Sequence, residues 1–371
     1  MTMNNENIHT DAEPKLGKTL FEDLRRRDLK RTIQRDFKEL KEFMLNEERQ
    51  KRLKKMRRVK RSLYLTWWLL KSLFLKLTPA RRLLLAFGLG LVVFHGTVVY
   101  SGHRVEFGQN IHIVGALIIL FVLMLELKDK LLAREELEAG RAVQEALMPE
   151  RSPSVPGWKL WLFSRSANEV GGDLLDFIEI GESRFGVALG DVAGKGLRAA
   201  LLTAKLQATL RALMPDFTSL SELGGKLNQI FCRDSLPNLF ASIMYVEIHP
   251  ESGMIRSLNA GHIPPLIVRG IKVEKTEKGG SALGILAGAK FTEQQIELHS
   301  EDFMFAYSDG LTEARNEQGE FFGEARLLDL LPRIARLPAE QIGETVVTAV
   351  DRFVGEARAN DDLSIALLRR A

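Results

Sequence analysis

The chain has 371 residues, a length that predicts two domains or one domain with attachments, and its 45% hydrophobic content is enough for a substantial core. Its single cysteine, Cys232, excludes an intramolecular disulfide and a cysteine-cage metal site, and it fits a reducing, cytoplasmic setting for the soluble part. The net charge is only +4, but most of the excess of lysine and arginine lies before residue 82. This asymmetry predicts a basic tail beside a membrane or nucleic acid, attached to an ordinary globular domain.

Residues 1–62 are predicted to form a polar tail followed by a charged, basic amphipathic helix. Residues 1–17 are polar, and apolar residues recur at helical spacing from Leu20 to Met44. The basic run KRLKKMRRVKR at 51–61 follows, and no nucleic-acid-binding motif accompanies it. Because apolar segments come directly after this run, we expect it to contact membrane lipid, and we expect no nucleic acid partner.

Residues 63–127 are predicted to be a membrane region. The stretch LYLTWWLLKSLFLKL at 63–77 combines paired tryptophans with lysines, which suits a helix in the membrane interface. The segment 83–100 has no Asp, Glu, Lys or Arg and meets the length criterion for a transmembrane helix. The segment 111–127 is the second predicted span. Its charge-free part, 111–125, rises only about 22 Å against a hydrocarbon core of ~30 Å, so flanking residues and tilt must supply the rest.

The charges around these two segments predict the orientation of the hairpin. Arg81 and Arg82 precede the first span. Lys128 and Lys130 follow the second span, and the loop between the spans holds only Arg104. The positive-inside rule then places both chain ends in the cytoplasm, so we expect a multi-pass protein of the inner (cytoplasmic) membrane with its C-terminal domain inside the cell. The alternative is a buried helical hairpin of a soluble protein.

Residues 128–150 are predicted to form a helical signalling linker. Four residues around it repeat at intervals of seven: Leu125, Leu132, Ala139 and Ala146. This weak heptad favours a helix that pairs with a second copy of the chain, so we expect a homodimer through the linker. Prolines from Pro149 onward break the helix and mark a domain boundary near residue 150.

The remaining residues, 151–371, alternate groups of strands with long helices. Strands are expected at 158–163, 174–180, 185–190, 241–248, 254–260, 265–269, 292–298, 302–308 and 364–369, and helices at 196–214, 220–234, about 324–331 and 339–357. Strands joined by tight turns favour antiparallel sheets, and long helices between strand groups favour α+β layering.

Aspartates recur at the ends of the predicted strands. The segments VGGD, GDV, SDG and NDD contain Asp173, Asp191, Asp309 and the pair Asp361 and Asp362. Glycine lets a backbone approach a ligand closely, and several carboxylates without soft ligands are what Mg²⁺ or Mn²⁺ requires. Two such ions can share a bridging water, lower its pKa and hold a phosphate for in-line attack. The set therefore predicts a two-metal hydrolase, although each segment alone is also a common turn.

Other motifs in this region have weaker interpretations. The segment GDVAGKG is not a P-loop, because Gly196 follows Lys195 where a serine or threonine should stand. Lys195 could simply begin a helix. His262 in NAGHIPP is a candidate supporting residue, with a structural histidine as the alternative. No nucleophile elbow competes with the aspartates.

Seven segments in order resemble the SpoIIE/RsbU branch of the type 2C, metal-dependent protein phosphatases. They are AVQEALMP, EVGGDLLD, GDVAGKGLRAALLTA, FASIMYVEI, NAGHIPPLIV, YSDGLTEARNEQGEFFG and NDDLSIALL, between about 139 and 371. The resemblance implies two antiparallel β-sheets packed face to face with helices outside. It also implies hydrolysis of phosphoserine or phosphothreonine on a protein, with two Mn²⁺ or Mg²⁺ as cofactors. The usual substrate in this branch is a phosphorylated anti-sigma-factor antagonist with a STAS domain.

The resemblance also implies roles for single residues. The metal-binding and catalytic positions of the family correspond to Asp173, Asp191, Asp309 and Asp361. Asp191 would bridge both ions, and the carbonyl of Val192 would be a further ligand. The supporting candidates are Gly172, Lys195, His262 and Asp362.

Two features of the resemblance bear on activity. The helix that begins near Gly196 and the preceding helix at 126–148 resemble the elements that switch this branch on and off. The chain departs from the family at Leu174 and Leu175, where aromatics are common, and at Ser364, where threonine is usual. Because we expect none of these three to touch a ligand, the sequence predicts an active enzyme. The alternatives are a membrane-tethered scaffold that binds a phosphoprotein without turnover, and a phosphodiesterase or nucleotide hydrolase that uses the same ions.

Overall fold

A computed structural model describes Leu40, residues 52–53, 56–93, 96–100 and 103–107, and residues 109–371 apart from 182, 235–238 and 251. The chain divides into two compact units, Met1–Lys130 and Leu131–Ala371. The predicted polar tail and nearly all of the amphipathic helix before residue 52 lie outside the described residues.

The first unit is built mainly from helices. Helix α1 spans Arg58–Lys76 and contains the predicted interfacial segment 63–77 up to its last residue. Helix α2 spans Pro79–Val93, and helix α3 spans Gln109–Leu147. Between α2 and α3, strands β1 (Gly96–Tyr100) and β2 (His103–Phe107) pair antiparallel.

The first predicted transmembrane helix, 83–100, is wrong in its C-terminal part, because α2 ends at Val93 and residues from Gly96 onward form a strand. The physical reason is local: the β-branched Thr97, Val98 and Val99 lose side-chain freedom in a helix and favour extended backbone. The second predicted span is helical throughout, inside α3. Among the described residues, one helical stretch, Ile111–Leu147, is long and apolar enough to cross a membrane.

Two glycines let α2 and α3 pack closely. A Cβ atom added at Gly115 would lie 2.7 Å from the carbonyl oxygen of Gly88, and one added at Gly88 would lie 3.1 Å from the carbonyl oxygen of Gly115. Beyond this contact, Arg81 forms ion pairs of 2.6 Å with Glu126 and 2.7 Å with Asp129. The two helices therefore form a hairpin held by backbone contact and by one charged cluster.

The second unit contains two antiparallel sheets. The first has the strand order β10-β9-β12-β13-β4-β3, formed by Lys272–Lys275, Leu266–Arg269, Phe303–Tyr307, Leu363–Arg370, Trp158–Arg165 and Ser154–Val155. The second has the order β11-β8-β7-β6-β5, formed by Glu293–Glu297, Met254–Ala260, Ala241–Ile248, Arg184–Val192 and Asp173–Ile180. All of their pairings are antiparallel, as predicted.

Helices cover the outer face of each sheet. Helices α4 (Leu197–Leu213) and α5 (Leu220–Asp234) pack on the second sheet, and helices α7 (Glu324–Ile334) and α8 (Ala339–Val354) pack on the first. A third apolar cluster, with Leu162, Leu189 and Met304 among its members, fills the space between the sheets. The result is the predicted α+β sandwich of two sheets flanked by helices. The predicted strands and helices of this unit are found, whereas β3, β10 and the one-turn helix α6 (Asp309–Thr312) were not predicted.

Candidate metal centre

Two of the predicted aspartates face each other across neighbouring strands of the second sheet. Asp173 is the first residue of β5, and its direct cross-strand partner in β6 is Asp191. Side chains of directly opposed residues in antiparallel strands lie about 5 Å apart at Cβ, so this register places two carboxylates side by side. Like charges in this arrangement are destabilising, which indicates that something other than packing keeps both in place.

The other two aspartates come from the first sheet. Asp309 directly follows the buried serine at the end of β12, and Asp361 lies two residues before β13 begins. Strands β12 and β13 are paired, and the backbone N–H of Ser308 donates to the carbonyl oxygen of Ser364 at 3.0 Å. This pairing packs the turn at Asp309 against the backbone of residues 361 and 362. A side chain at position 310 would clash with the carbonyl oxygen of Asp362, so the turn requires Gly310.

Asp362 organises the loop that carries Asp173. Its carboxylate accepts hydrogen bonds from the backbone N–H groups of Ala167 at 2.7 Å and Gly172 at 2.6 Å. A Cβ atom at Gly171 would lie 2.7 Å from Asp362 Oδ2, so a glycine is needed for this approach. Asp362 therefore holds the backbone of the loop that precedes Asp173 in place.

Two buried serines of the opposite sheet lie beside Asp173, and their hydroxyls counteract part of the rise in its pKa. The hydroxyl of Ser308 donates to the carbonyl oxygen of Asp362 at 3.2 Å, and that of Ser364 shares a hydrogen bond of 2.9 Å with the hydroxyl of Ser164. The expectation that residue 364 touches no proposed ligand is therefore wrong. Register explains the contact, because β13 runs antiparallel to β12 and turns the side chain of Ser364 inward beside Ser308.

The electrostatics of the cluster indicate uncompensated negative charge. Burial and the nearby carboxylates of Asp309 and Asp361 raise the pKa of Asp191 to about 6. Burial likewise raises the pKa of Asp173 well above its usual range, with the Asp191 charge adding to the effect. Burial and the Asp361 charge also raise the pKa of Asp309. A cation bound beside these carboxylates would therefore favour their ionised forms.

Divalent metal ions fit this set of donors. Asp173 Oδ2 is buried and has no hydrogen-bond partner within the described part of the chain, so it is free to bind a cation. The other donors are hard oxygens, which suit Mg²⁺ or Mn²⁺. Within the described residues, however, no three side chains of the types Asp, Glu, His or Cys converge closely enough to hold an ion as they stand.

Gly172 lies against the backbone and side chain of the residues at the end of β6. A Cβ atom at Gly172 would lie 3.2 Å from the carbonyl oxygen of Val192 and 3.4 Å from Asp191 Oδ1, so a side chain here would crowd both oxygens. The carbonyl oxygen of Gly172 is fixed in turn by the hydroxyl of Thr203 on α4, at 2.6 Å. Helix α4 therefore touches the predicted metal-binding loop directly.

The two remaining candidates lie in different settings. Lys195 Nζ donates to Asp361 Oδ2 at 2.9 Å and to the carbonyl oxygen of Asn360 at 2.6 Å, so it belongs to the cluster. His262 is buried, and its Nδ1 lies 3.0 Å from the hydroxyl of Ser242, the cross-strand partner of Asp191. Burial lowers the pKa of His262 to about 4, so the ring is neutral at pH 7 and contacts Ser242 rather than a predicted ligand.

The last turns of α3 pack against the same loop. The side-chain amide of Gln144 donates to the carbonyl oxygen of Gly171 at 2.9 Å and accepts from its N–H at 3.1 Å. Gln207 of α4 donates to the carbonyl oxygen of Leu147 at 3.0 Å. A cavity of about 10 Å³ is lined by Gln144, Gln207 and Asp173. Sequence reasoning missed Gln144 and Gln207, because their partners are backbone atoms that no motif identifies.

Comparisons with known proteins agree with this architecture. The model of the family "Stage II sporulation protein E (SpoIIE)" matches residues 181–371, just over half of the chain. Protein IcfG of Synechocystis is 26% identical over 66% of this chain, but the match spans only 43% of the length of IcfG. The phosphoserine phosphatase RsbU of Bacillus subtilis is 23% identical over 64% of this chain and 70% of its own length.

A solved structure shows the same fold. The SiaA-PP2C domain of Pseudomonas aeruginosa superposes with a TM-score of 0.58 at 22% identity, covering 65% of this chain and 98% of that domain. The two sheets, the order of the aspartate segments and the family match point to one conclusion. The chain belongs to the SpoIIE family, in the SpoIIE/RsbU branch of the type 2C, metal-dependent protein phosphatases.

Proposed function

We propose that this chain is a membrane-anchored, metal-dependent serine/threonine protein phosphatase that acts on a phosphorylated regulatory protein. The observation that carries the proposal is that four aspartates from the strand ends of two sheets lie near enough to raise one another's pKa, with Asp173 opposite Asp191 and Asp309 near Asp361. Asp191, Asp309 and Asp361 are partly exposed, so a large phosphoprotein could reach them. Family membership and the named activity of RsbU support the reaction class.

Each residue of the cluster has a distinct part in this proposal. Asp173, Asp191, Asp309 and Asp361 would hold two Mn²⁺ or Mg²⁺, with the Val192 carbonyl as a further donor. Such ions, when bound, lower the pKa of a shared water and polarise the phosphate. The chain's own contribution is positioning: Asp362 fixes the loop before Asp173, and the buried hydroxyls of Ser308 and Ser364 lie beside the Asp173 carboxylate.

The substrate and the location of the protein are part of the same proposal. RsbU is named a phosphoserine phosphatase, and a phosphorylated anti-sigma-factor antagonist of the STAS type is the substrate class we infer for this chain. The apolar, charge-poor helix from Ile111 onward, together with the basic run at 51–61, supports anchoring in the cytoplasmic membrane in contact with lipid. Exposed Leu132 and Val143 on α3 support a homodimer through the linker, which crosslinking in membranes would detect.

One experiment tests the catalytic proposal. Phosphate release from a phosphoserine peptide by the full-length protein is measured with Mn²⁺, for the wild type and for Asp191→Asn. We expect wild-type turnover that falls by at least about a hundredfold in the variant, because the bridging carboxylate is lost. A folded wild-type protein that binds the peptide without turnover would support the scaffold instead, and faster hydrolysis of a nucleotide or phosphodiester would support the other hydrolase class.

A further inference from the structure

Lys195 places a positive charge beside the cluster of aspartates. Lys195 Nζ is 2.9 Å from Asp361 Oδ2 and 2.6 Å from the carbonyl oxygen of Asn360. Its positive charge opposes the rise in pKa that burial and neighbouring carboxylates cause at Asp191 and Asp309. Lys195 is therefore the counter-charge that the protein itself supplies to this edge of the cluster.

The loop around Lys195 is shaped to bring the side chain back over the cluster. Gly194 and Gly196 have φ angles of +116° and +73°, a region that other residues rarely adopt. The N–H of Ala193 donates to the carbonyl oxygen of Phe240 at 2.8 Å, which fixes the start of the loop. The Lys195 side chain itself is 56% exposed, so it can leave Asp361 for solvent without disturbing buried groups.

An ammonium group and a divalent metal ion compete for the same carboxylate. Both need the lone pairs of Asp361, and two cations on one carboxylate repel each other. We propose that Lys195 is a tethered counter-cation: it holds Asp361 in the metal-free protein, and a metal ion must displace it to bind there. This inference rests on the proposed function, since it assumes that Asp361 is a metal ligand. Lys195 is then a positioning residue that lowers metal affinity while it stabilises the empty cluster.

Calorimetric titration of the full-length protein with Mn²⁺ tests the competition. Lys195→Met should bind Mn²⁺ about two- to fivefold more tightly than the wild type, the upper part of the range expected for loss of one exposed ion pair. Lys195→Arg keeps the cation and should stay within about twofold of the wild type. The matched control is Lys205→Met, which also removes one positive charge but breaks a pair with Asp234, at 3.1 Å, that contains no proposed ligand.

Thermal unfolding gives a second measurement that does not depend on activity. Without metal, Lys195→Met should unfold at a lower temperature than the wild type, because the carboxylates lose their counter-charge. Saturating Mn²⁺ should then raise its unfolding temperature by more than it raises that of the wild type. Unchanged or weaker Mn²⁺ binding in Lys195→Met would overturn the inference. A wild type that binds no Mn²⁺, or whose binding survives Asp191→Asn, would instead overturn the proposed metal centre.

Discussion

The two glycines of VGGD show how single residues build the cluster. Gly171 makes room for the Asp362 carboxylate, and Gly172 avoids crowding Asp191 and the Val192 carbonyl. The sequence alone predicts that glycines before Asp173 allow a close approach. It cannot show which partner approaches, because Asp362 lies about 190 residues away and meets the loop only through the strand pairing of the first sheet.

Ser364 is expected to control metal affinity through Asp173. Ser364→Ala removes a buried hydroxyl that lies beside this carboxylate and lowers its pKa, and loss of such supporting groups costs about ten- to a hundredfold in metal affinity. Ser364→Thr retains the hydroxyl and should restore binding. Calorimetry with Mn²⁺ measures both variants. Ser257→Ala is a matched control, since that hydroxyl is buried but has no hydrogen-bond partner among the described residues. Equal affinity in Ser364→Ala and Ser257→Ala would refute the prediction.

His262 is expected to make stability depend on pH. Burial lowers its folded-state pKa to about 4, whereas an unfolded histidine titrates near 6.5. Between these values the unfolded chain binds a proton that the folded protein excludes, so stability falls as pH falls. From pH 7 to pH 5 the wild type should lose about 2 kcal/mol more than His262→Gln. Urea unfolding at both pH values measures this difference. The two proteins losing stability equally would show that His262 is not the group responsible.

Among the elements, α3 is expected to stabilise the predicted metal-binding loop through its contact with Gly171. Gln144 is bonded twice to the backbone of Gly171, next to the loop residues that position Asp173. Gln144→Ala should lower the free energy of unfolding by about 1–2 kcal/mol, because two backbone groups lose their partner, and it should also weaken Mn²⁺-dependent activity. Denaturant unfolding and phosphate release measure the two effects.

A neighbouring residue on the same helix provides the control for Gln144. Arg141 forms an exposed pair with Glu145 at 2.8 Å, so Arg141→Gln should change stability by less than about 1 kcal/mol and leave activity unaltered. If both variants behaved alike, the end of α3 would have no influence on the loop. The sequence predicts α3 as a switch-like helix by resemblance, but only the fold shows that its contact with the loop is made through a glutamine side chain.

The elements that sequence reasoning predicted well are those with strong periodicity. The strands of the sandwich and helices α4, α5, α7 and α8 lie close to their expected positions, because alternation and helical spacing reflect burial directly. The segment 83–100 was wrong because its apolar composition carries no periodic signal. An uninterrupted apolar run is compatible with either helix or strand. After Gly96 the β-branched residues favour the strand that the structure shows.

At the scale of the whole molecule, the question is whether the hairpin crosses a membrane. Helix α2 has fifteen residues and rises about 22 Å, short of a hydrocarbon core of ~30 Å, whereas α3 is long enough. The close glycine contact between Gly88 and Gly115 is the kind of packing that membrane helices use. We therefore expect α2 and α3 to cross together.

Thiol labelling in intact cells measures this topology. The chain has a single native cysteine, so Cys232→Ser gives a background into which one new cysteine is introduced at a time. A membrane-impermeant maleimide should label Ser101→Cys, in the predicted external loop, in intact cells. It should label Ala371→Cys only after permeabilisation, because the positive-inside rule places that end in the cytoplasm. Labelling of both positions only after permeabilisation would mean that the hairpin does not cross, and the phosphatase unit would then be held at the membrane by the basic run and α1 instead.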